Sequence, residues 1–162
     1  MSIQQELGFR SPLRTRAHEA LLNVVLTGAL LTKTGDRVLR AYGLTVSQFN
    51  VLMLLKYQSG GEGITQTQLG QMLFVNRSNV TGVVDRMEDA GWVRRGSEEG
   101  DRRVKPVAIT AAGHSLLEQA EKVYFARVQE VMGCLSNDEH QRLCHMLERL
   151  RSILRGAREA GK

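Results

Sequence analysis

The sequence has too few cysteines and too little continuous apolar chain for several classes of protein. Cys134 and Cys144 are the only cysteines among 162 residues, so no disulfide framework is expected and both are predicted to be buried free thiols. No apolar run reaches the ~18 residues of a membrane-spanning helix, and the first residues do not form a charged and then apolar leader. We therefore expect a cytoplasmic protein that has no membrane partner.

The side-chain arrangements that carry catalysis are also missing. The chain has no Ser, His and Asp in the order of a nucleophilic triad, no Gly-rich phosphate loop and no pair of carboxylates placed for acid–base chemistry. Hence neither an enzyme nor a bound cofactor is expected.

One group of potential metal ligands lies in the C-terminal part of the chain. His140, Cys144 and Glu148 recur at i, i+4 and i+8, along one side of a predicted helix, with Cys134 and His145 nearby. Three candidates on one helix face are a weak metal motif, so no metal is predicted. Metal binding, and thiol sensing by Cys134 or Cys144, remain alternatives.

Positive charge is modest overall but concentrated in one place. The 22 Lys and Arg residues outnumber the 17 Asp and Glu residues, a net charge of +5 that permits binding to a polyanion without requiring it. The hydrophobic content of 42% is ordinary for a globular chain, and the length suits one domain or one domain with an appendage. The informative cluster consists of Arg94, Arg95, Arg102, Arg103 and Lys105.

This basic cluster follows a predicted helix with an unusual polar face. Between Asn76 and Met87, apolar residues recur on one side at helical spacing, as in a helix packed on a core. The opposite face is small and polar in its first half, which suits hydrogen bonding with a closely approaching surface, and Asn76 is placed to be the N-cap. The pattern predicts a recognition helix for a DNA groove. The predicted core-facing residues are Val80, Val83, Val84 and Met87, and the outward residues are Ser78, Thr81, Gly82, Asp85 and Arg86.

The element before the recognition helix completes a helix-turn-helix. A short helix is predicted from Thr65, which caps it, with Leu69, Met72 and Leu73 facing inward. The turn falls at residues 74–75. A short helix, a tight turn and a second helix with a polar outer face form the motif.

Two strand-like segments after the recognition helix predict a hairpin, or wing. They cover residues 92–97 and 104–109 and are joined by a polar, Gly-containing turn with arginines at its tip. An arginine there can enter the minor groove, where a narrow width concentrates negative potential. Pro106 has no N–H for a ladder, so its strand is predicted at a sheet edge. Ile64 adds one short rung of strand.

Long helices flank this core and predict a dimer. The helix over residues 13–41, ended by Gly43, is apolar around most of its circumference, which predicts burial against a second chain. Two further amphipathic helices follow, one capped by Thr110 and one begun by a capping box of Ser136 and Glu139. Because so small a core cannot bury all three helices, we expect a homodimer.

The elements together predict a mainly α protein with a small β-hairpin, an α+β fold made of a winged helix-turn-helix core and a helical dimerisation module. The second long helix, residues 45–58, opens with a capping box of Thr45 and Gln48. The predicted division is a flexible N-terminal arm at 1–12, a helical dimerisation region at 13–43 and 111–160, and a DNA-binding domain at 44–110.

Several segments resemble the MarR family of transcriptional regulators. Asp101-Arg102-Arg103 followed by residues 107–113 is similar to the family's wing signature, Asp-x-Arg and then a strand ending Leu-Thr-x-x-Gly, with Ile109 in place of Leu. Residues 79–95 resemble the family's recognition-helix block, and residues 44–52 resemble the opening of its second helix. The resemblance covers residues 15 to 155 in round numbers, in the family's order of elements.

The resemblance implies a homodimeric repressor or activator, and we predict a repressor. It implies that both recognition helices and both wings bind an inverted-repeat operator in double-stranded DNA. It also implies release by a small, often aromatic or anionic, effector held between the dimerisation helices and the winged core. The alternative from another class is a winged helix that docks a partner protein, although the basic wing argues against it.

The resemblance and the residue chemistry together assign roles at the DNA interface. By its place in Asp-x-Arg, Arg103 is the predicted wing-tip contact, and Arg102 is a candidate for phosphate. Asp101 is expected to brace an arginine through an ion pair, because phosphates repel a carboxylate. The other predicted DNA contacts are Thr65, Gln66, Gln68, Arg77, Ser78, Asn79, Thr81 and Arg86, with Arg77 as a phosphate clamp.

Three of these assignments have open alternatives. Arg86 can instead form an ion pair within the chain, with an acidic residue at 85, 88 or 89. Thr65 is explained equally well by capping alone. Gly82 indicates either a close approach of the backbone to DNA or a missing base contact, since glycine in a helix costs roughly 0.5–1 kcal/mol relative to alanine.

Six residues are candidates for lining the effector crevice between the first, second and fifth predicted helices. Packing in the core is the commoner fate of such residues, and this alternative stays open for each of them. They are His18, Phe49, Met53, Tyr57, His114 and Tyr124.

Overall fold

The computed structural model describes residues 2–73, 77–96 and 106–159. The described chain is mainly helical with one small antiparallel sheet, as the sequence predicted. The elements are α1 (Ile3–Glu6), α2 (Arg16–Leu39) with a 3-10 turn (Arg40–Tyr42), α3 (Val46–Gln58), β1 (Ile64–Thr65), α4 (Gln66–Leu73), α5 (Arg77–Asp89), β2 (Val93–Arg95), β3 (Pro106–Ile109), α6 (Ala111–Met132) and α7 (Asn137–Glu159).

Among the described residues, no single helix is long and apolar enough to cross a membrane. The segments Arg16–Tyr42 and Val46–Gln58 meet that requirement only when joined, and they are bent by 76°. α3 is a core helix, in which Phe49, Val51 and Leu52 are buried.

The passage from α2 to α3 is fixed by caps read from the sequence. Gly43 ends the 3-10 turn with a φ of +68°, a left-handed conformation that a residue without Cβ adopts most readily. Thr45 and Gln48 form the predicted capping box at the start of α3. Asp36 adds a contact that the sequence did not reveal, since its Oδ1 accepts from the N–H of Val46 at 2.7 Å. α2 and α3 are therefore tied at the first turn of α3.

The sheet has the strand order β1-β3-β2, which corrects the prediction that Pro106 lies on an edge strand. β3 is central, because Ile64 of β1 pairs with Val107 on one side and Arg95 of β2 pairs with Val107 on the other. Pro106 is the first described residue of β3, and the start of a strand is a position that accepts proline, which has no backbone N–H. The predicted short strand at Ile64 is confirmed.

The core lies where α3, α4 and α5 meet the sheet and the start of α6. Within the core, α5 contributes the face that the sequence predicted, with Val80, Val84 and Met87 at no more than 2% exposure. Met72 of α4 is 44% exposed, so its predicted inward position is wrong. The buried cluster comprises Leu39, Leu44, Phe49, Val51, Leu52, Leu55, Ile64, Leu69, Val80, Val84, Met87, Val93, Val107, Leu117 and Ala120.

The N-terminal segment contains one helical turn that the sequence analysis did not predict. Ser2 caps α1 through a capping box with Gln5, and Ile3 is only 4% exposed. α1 contacts α2. The apolar side chains of Leu7 and Phe9 that follow remain exposed.

Residues 125–162 form a second compact unit, distinct from residues 1–124. Within it, Ser136 and Glu139 form the predicted capping box of α7, with the Ser136 N–H donating to Glu139 at 2.8 Å. Bonds from the Ser136 backbone and hydroxyl hold the pKa of Glu139 below its ordinary value. The apolar face of α7 is exposed in the single chain, with Ile153 at 73% and Leu154 at 67%.

Both cysteines lie in this second unit and are exposed, so the prediction of buried thiols is wrong for the single chain. Cys134 lies just beyond the end of α6, where its Sγ is 3.3 Å from the carbonyl oxygen of Val131. Cys144 lies on α7. Neither thiol lies in an apolar core, because Cys134 is in the exposed turn after α6 and Cys144 is on an outward position of α7.

Candidate nucleic-acid interface

The outward face of α5 carries few large side chains. Asn79, Asp85 and Arg86 are exposed, and Gly82 between them is half-buried. A Cβ placed on Gly82 would lie 3.6 Å from Nη1 of Arg86. Arg77 and Ser78 open the helix, but their side chains, like the predicted N-cap Asn76, lie outside the described part of the structure.

α4 holds α5 in place through a side-chain hydrogen bond between two predicted DNA contacts. The hydroxyl of Thr81 donates to Oε1 of Gln66 at 2.8 Å. Thr65 and Gln68 form a capping box at the start of α4, with the Thr65 N–H donating to Gln68 Oε1 at 2.9 Å and the Gln68 N–H donating to Thr65 Oγ1 at 3.2 Å. The capping role of Thr65 is therefore confirmed, and Thr81 and Gln66 fix the spacing of the two helices.

Arg95 on β2 is the main electrostatic link between the hairpin and α5. Its guanidinium binds both Asp85 and Glu88, and its backbone N–H donates to Glu88 at 2.9 Å. Burial by itself lowers the pKa of Arg95, but the hydrogen bonds to the two carboxylates outweigh it and hold the pKa above its ordinary value. Within the described chain the acidic residues at 85 and 88 thus pair with Arg95 and not with Arg86.

This link offsets an unfavourable distribution of charge on α5. Asp85, Glu88 and Asp89 lie in the last two turns, where the negative end of the helix dipole disfavours carboxylates. Asp85 and Glu88 are also neighbours at i, i+3 and repel each other. The Arg95 guanidinium binds both carboxylates and so removes most of their mutual repulsion. It also makes the potential less negative beside the face of α5 that is predicted to contact DNA.

The Thr-x-x-Gly part of the wing signature fixes the start of α6 to the end of α5. The Thr110 hydroxyl donates to the carbonyl of Gly91 at 2.7 Å, and the Thr110 N–H donates to that of Trp92 at 3.0 Å. The N–H of Gly113 donates to Thr110 Oγ1 at 3.1 Å, the predicted cap. A Cβ on Gly113 would lie 2.1 Å from the Trp92 carbonyl oxygen, so this close approach requires glycine.

The base of the wing is described, and its tip is not. The N–H of Gly96 donates to the carbonyl of Pro106 at 2.8 Å, which makes the two ends of the connecting segment hydrogen-bonded neighbours. Asp101, Arg102 and Arg103, the predicted tip contacts and brace, lie outside the described residues.

The six candidate effector residues do not form one cluster among the described residues. Phe49 and Tyr124 pack with ring centroids 4.5 Å apart, and Phe49 is 1% exposed, so it belongs to the core. Met53 and Tyr57 line a groove instead, on the side of α3 that faces α4. His18 and His114 are exposed on α2 and α6. The predicted crevice is therefore occupied by packed side chains where Phe49 and Tyr124 meet.

One ion pair crosses from α3 to α6 near these rings. Nζ of Lys56 lies 3.0 Å from Oε2 of Glu121, and the two side chains are 19% and 14% exposed. Contacts with Tyr57 and then Glu121 hold the pKa of Lys56 above its ordinary value. The other oxygen of Glu121, Oε1, is buried without a partner among the described residues.

Two shallow cavities lie beside α3 and share Asn50 and Leu73. One, of about 170 Å³, opens between α3 and α5, and the other, of about 250 Å³, lies between α3 and α4. The first is lined by Ser47, Asn50, Val51, Leu73, Asn79, Val80 and Val83, and the second by Asn50, Met53, Leu54, Tyr57, Gln58, Met72 and Leu73.

The described part of the chain contains no group of three or more His, Cys, Asp or Glu residues that could hold a metal ion. His140, the first member of the alternative metal motif, has Nε2 2.9 Å from the carbonyl oxygen of Met132. That contact anchors α7 to the end of α6.

Comparison with known proteins places the chain in a family. The sequence model described as the MarR family matches residues 42–104. The transcriptional activatory protein BadR of Rhodopseudomonas palustris is 36% identical over 128 residues, 78% of this chain and 73% of BadR. The chain belongs to the MarR family. A second MarR-family relative, the HTH-type transcriptional repressor Mb2911 of Mycobacterium bovis, is 30% identical over 138 residues, 84% of this chain and 97% of the relative.

Solved MarR-family structures share the fold. AbsC, a MarR family regulator from Streptomyces coelicolor, superposes with a TM-score of 0.80 at 24% identity, covering 90% of this chain and 99% of AbsC. Sco3205 from the same organism, solved in complex with DNA, has a TM-score of 0.79 at 23% identity, covering 90% and 92%. RdhR-CbdbA1625, an organohalide-sensing regulator bound to 2,4-dichlorophenol, has a TM-score of 0.79 at 18% identity, covering 90% and 87%.

The MarR-family chain is accordingly a transcriptional regulator and not an enzyme, as the sequence predicted. Sequence reasoning missed one residue of the interface, Arg95. It was counted in the basic cluster, but Asp85 and Glu88 were considered only as alternative partners of Arg86. The signal was present, because two carboxylates at i, i+3 near a helix end need a cation and Arg95 follows them on the next strand.

Proposed function

We propose that this MarR-family regulator is a repressor that binds double-stranded DNA as a homodimer. Each α5 enters a major groove of an inverted-repeat operator, and each wing tip reaches the adjacent minor groove. A small aromatic or anionic effector releases the protein from its operator.

The outward face of α5 carries this proposal. It offers Asn79 and Arg86, side chains suited to hydrogen bonding with base edges or phosphates, on a helix whose other face packs into the core through Val80, Val84 and Met87. Arg95 binds Asp85 and Glu88, which reduces the repulsion that these carboxylates exert on phosphates. A surface helix with no such role would be expected to show exposed Lys and Glu. Sco3205, which shares the fold, was crystallised on DNA.

The remaining contacts are proposed by position. We propose that the first turn of α5, with Arg77 and Ser78, and the start of α4, with Thr65, Gln66 and Gln68, contact phosphates through backbone N–H groups and polar side chains. The Thr81 hydroxyl is used in the bond to Gln66, so we propose that Thr81 positions Gln66 in addition to any direct contact. At the wing tip, Arg103 enters the minor groove, Arg102 contacts phosphate and Asp101 braces an arginine.

Exposed apolar side chains support the homodimer. On α2, Leu21 and Val25 are each 60% exposed, and on α7, Ile153 and Leu154 exceed that. Rows of exposed apolar residues on long helices mark surfaces that another chain covers. Because closed oligomers of one chain are mostly two-fold symmetric, a dimer of this kind matches an inverted repeat.

Repression and effector release rest on comparison. The mycobacterial relative is named a repressor, whereas BadR is named an activatory protein. We propose repression, and the expression of a reporter gene placed under the operator would distinguish it from activation. RdhR-CbdbA1625 binds a chlorophenol. Of the six effector candidates, Met53 and Tyr57 line an open groove and are the first to test with phenols and aromatic acids.

The deciding experiment is a titration of duplex DNA at two salt concentrations. We expect affinity to fall steeply between about 50 and 200 mM salt, because each phosphate contact releases a counterion. Arg103→Ala should weaken binding and flatten this dependence, with the dimer unchanged in sedimentation. Binding that ignores salt, or no binding by the parent protein to any duplex in a random pool, would refute the proposal.

A further inference from the structure

The centre of the outward face of α5 is a glycine. Gly82 lies two residues from both Val80 and Val84, about 200° around the helix from each, so it points away from the buried core. The φ of Gly82 is not positive and the residue lies within α5, so its backbone is ordinary helix. Neither the turn geometry nor the core explains why glycine stands here.

The space available around position 82 explains the presence of glycine only partly. Among the described residues, apart from its chain neighbours and its own helix backbone, a Cβ on Gly82 would meet one atom within 4 Å, Nη1 of Arg86 at 3.6 Å, which is an ordinary contact. Alanine would therefore fit, and it would favour the helix by roughly 0.5–1 kcal/mol. A longer side chain at 82 would occupy the place where the Arg86 guanidinium now lies.

Arg86 lies over this gap without an ion pair to another described residue. Its acidic neighbours Asp85 and Glu88 are bound by Arg95, and Arg86 itself has no ion pair among the described residues. Long side chains in helices point toward the N-terminus. The guanidinium of Arg86 is thus carried back one turn, to the middle of the outward face.

We propose that Gly82 is a specificity-determining residue, whose missing side chain lets Arg86 lie along α5 and read guanine in the major groove. The fork of a guanidinium matches O6 and N7 of guanine, and this pairing discriminates against the other bases. The inference rests on the proposed function, DNA binding through α5. It adds that residues 82 and 86 act together, so that a side chain at position 82 changes which base Arg86 contacts.

The test selects binding sites from a random duplex pool with the parent protein, Gly82→Ala, Gly82→Leu, Gly82→Gln, Arg86→Ala and the double variant Gly82→Leu with Arg86→Ala. Affinities for the parent's selected duplex are then measured at one salt concentration. We expect Gly82→Ala to keep the parent's preference, with affinity within about threefold and a higher Tm. Gly82→Leu and Gly82→Gln should each bind the parent's selected duplex about 10- to 100-fold more weakly. Both variants should also lose the preference for the same guanine that Arg86→Ala loses.

Coupling between the two positions decides the outcome. If residue 82 acts through Arg86, the double variant binds no worse than Arg86→Ala alone. Additive losses, or a Gly82→Leu protein that selects the parent's sequence, would overturn the inference. Since position 82 faces outward, thermal unfolding and sedimentation should show all variants folded.

Failure of the underlying function looks different from failure of the inference. A parent protein that enriches no sequence and shows no salt dependence removes DNA binding itself. A parent protein that selects a defined site, which Arg86→Ala then binds with equal affinity and the same preference, leaves the regulator intact and removes only the role of Gly82 and Arg86.

Discussion

The winged core buries its apolar side chains, whereas the flanking helices leave many of theirs exposed in the single chain. In the core, Leu52 and Met87 are fully buried by α3, α5 and their neighbours from the same chain. On α7, Ile153 and Leu154 have comparable apolar bulk but are 73% and 67% exposed. Burial of apolar surface is the main favourable term in folding. The core is therefore completed within one chain, whereas the exposed apolar faces of the flanking helices are the surfaces that we propose a second chain covers.

The largest effect expected inside the core is that of Leu52→Ala. Deleting a fully buried leucine side chain removes its transfer free energy and leaves a cavity, so the free energy of unfolding should fall by about 2–5 kcal/mol. Urea unfolding at a fixed protein concentration measures it. The matched control, Met72→Ala at a 44% exposed position of α4, should stay within about 0.5 kcal/mol of the parent. Equal losses in both variants would mean that the two positions are equally buried in solution.

The corresponding change on the flank is Ile153→Asp, which should act on assembly and not on the core. A carboxylate placed in an apolar interface loses its hydration, so we expect sedimentation to show monomers where the parent forms dimers. The near-neighbour Ser152→Asp adds the same charge one residue away and should leave the dimer intact. If Ile153→Asp stays dimeric, the C-terminal part of α7 is not in the interface.

A smaller effect is expected from Arg95→Ala, which tests whether the core alone orients the recognition helix. Removing the guanidinium leaves Asp85 and Glu88 without their cation, and we expect a loss of about 1–3 kcal/mol in stability from broken charged hydrogen bonds. DNA affinity should fall as well, since two carboxylates then face the phosphates.

The control for Arg95→Ala is Arg94→Ala, the preceding residue on β2, whose side chain is exposed. It removes the same charge without touching Asp85 or Glu88. Thermal unfolding and duplex binding should both separate the two variants. Identical behaviour would mean that net charge, and not the link to α5, is what Arg95 supplies.

Local signals predicted most of the fold. Capping boxes at Thr45, Thr65 and Ser136 begin helices where the sequence placed them, because a cap depends on residues only three apart. The buried face of α5 followed from its 3.6-residue period. Two strand-like segments predicted the wing, the family resemblance agreed with it, and the structure gives a physical reason for the spacing of Thr110 and Gly113.

The errors arose where a distant segment decides the outcome. Pro106 lies on the central strand because β1, some forty residues earlier in the chain, pairs with β3. Met72 lies on the apolar side of α4 but beyond the edge of the core. Cys134 and Cys144 were assigned to the interior from general preference, but the turn after α6 and the outward side of α7 leave them exposed. None of these outcomes is encoded within a few residues.

The sequence by itself determined where the capped helices begin, which face of α5 is apolar, and that its other face is small and polar, because these depend on near neighbours along the chain. Tertiary structure alone decided the pairing of charges on that face. It brought Arg95 across from β2 to Asp85 and Glu88, left Arg86 over Gly82, and joined Thr81 to Gln66. Ion pairs and side-chain hydrogen bonds of this kind depend on distances between elements. The spacing of residue types along the chain does not specify those distances.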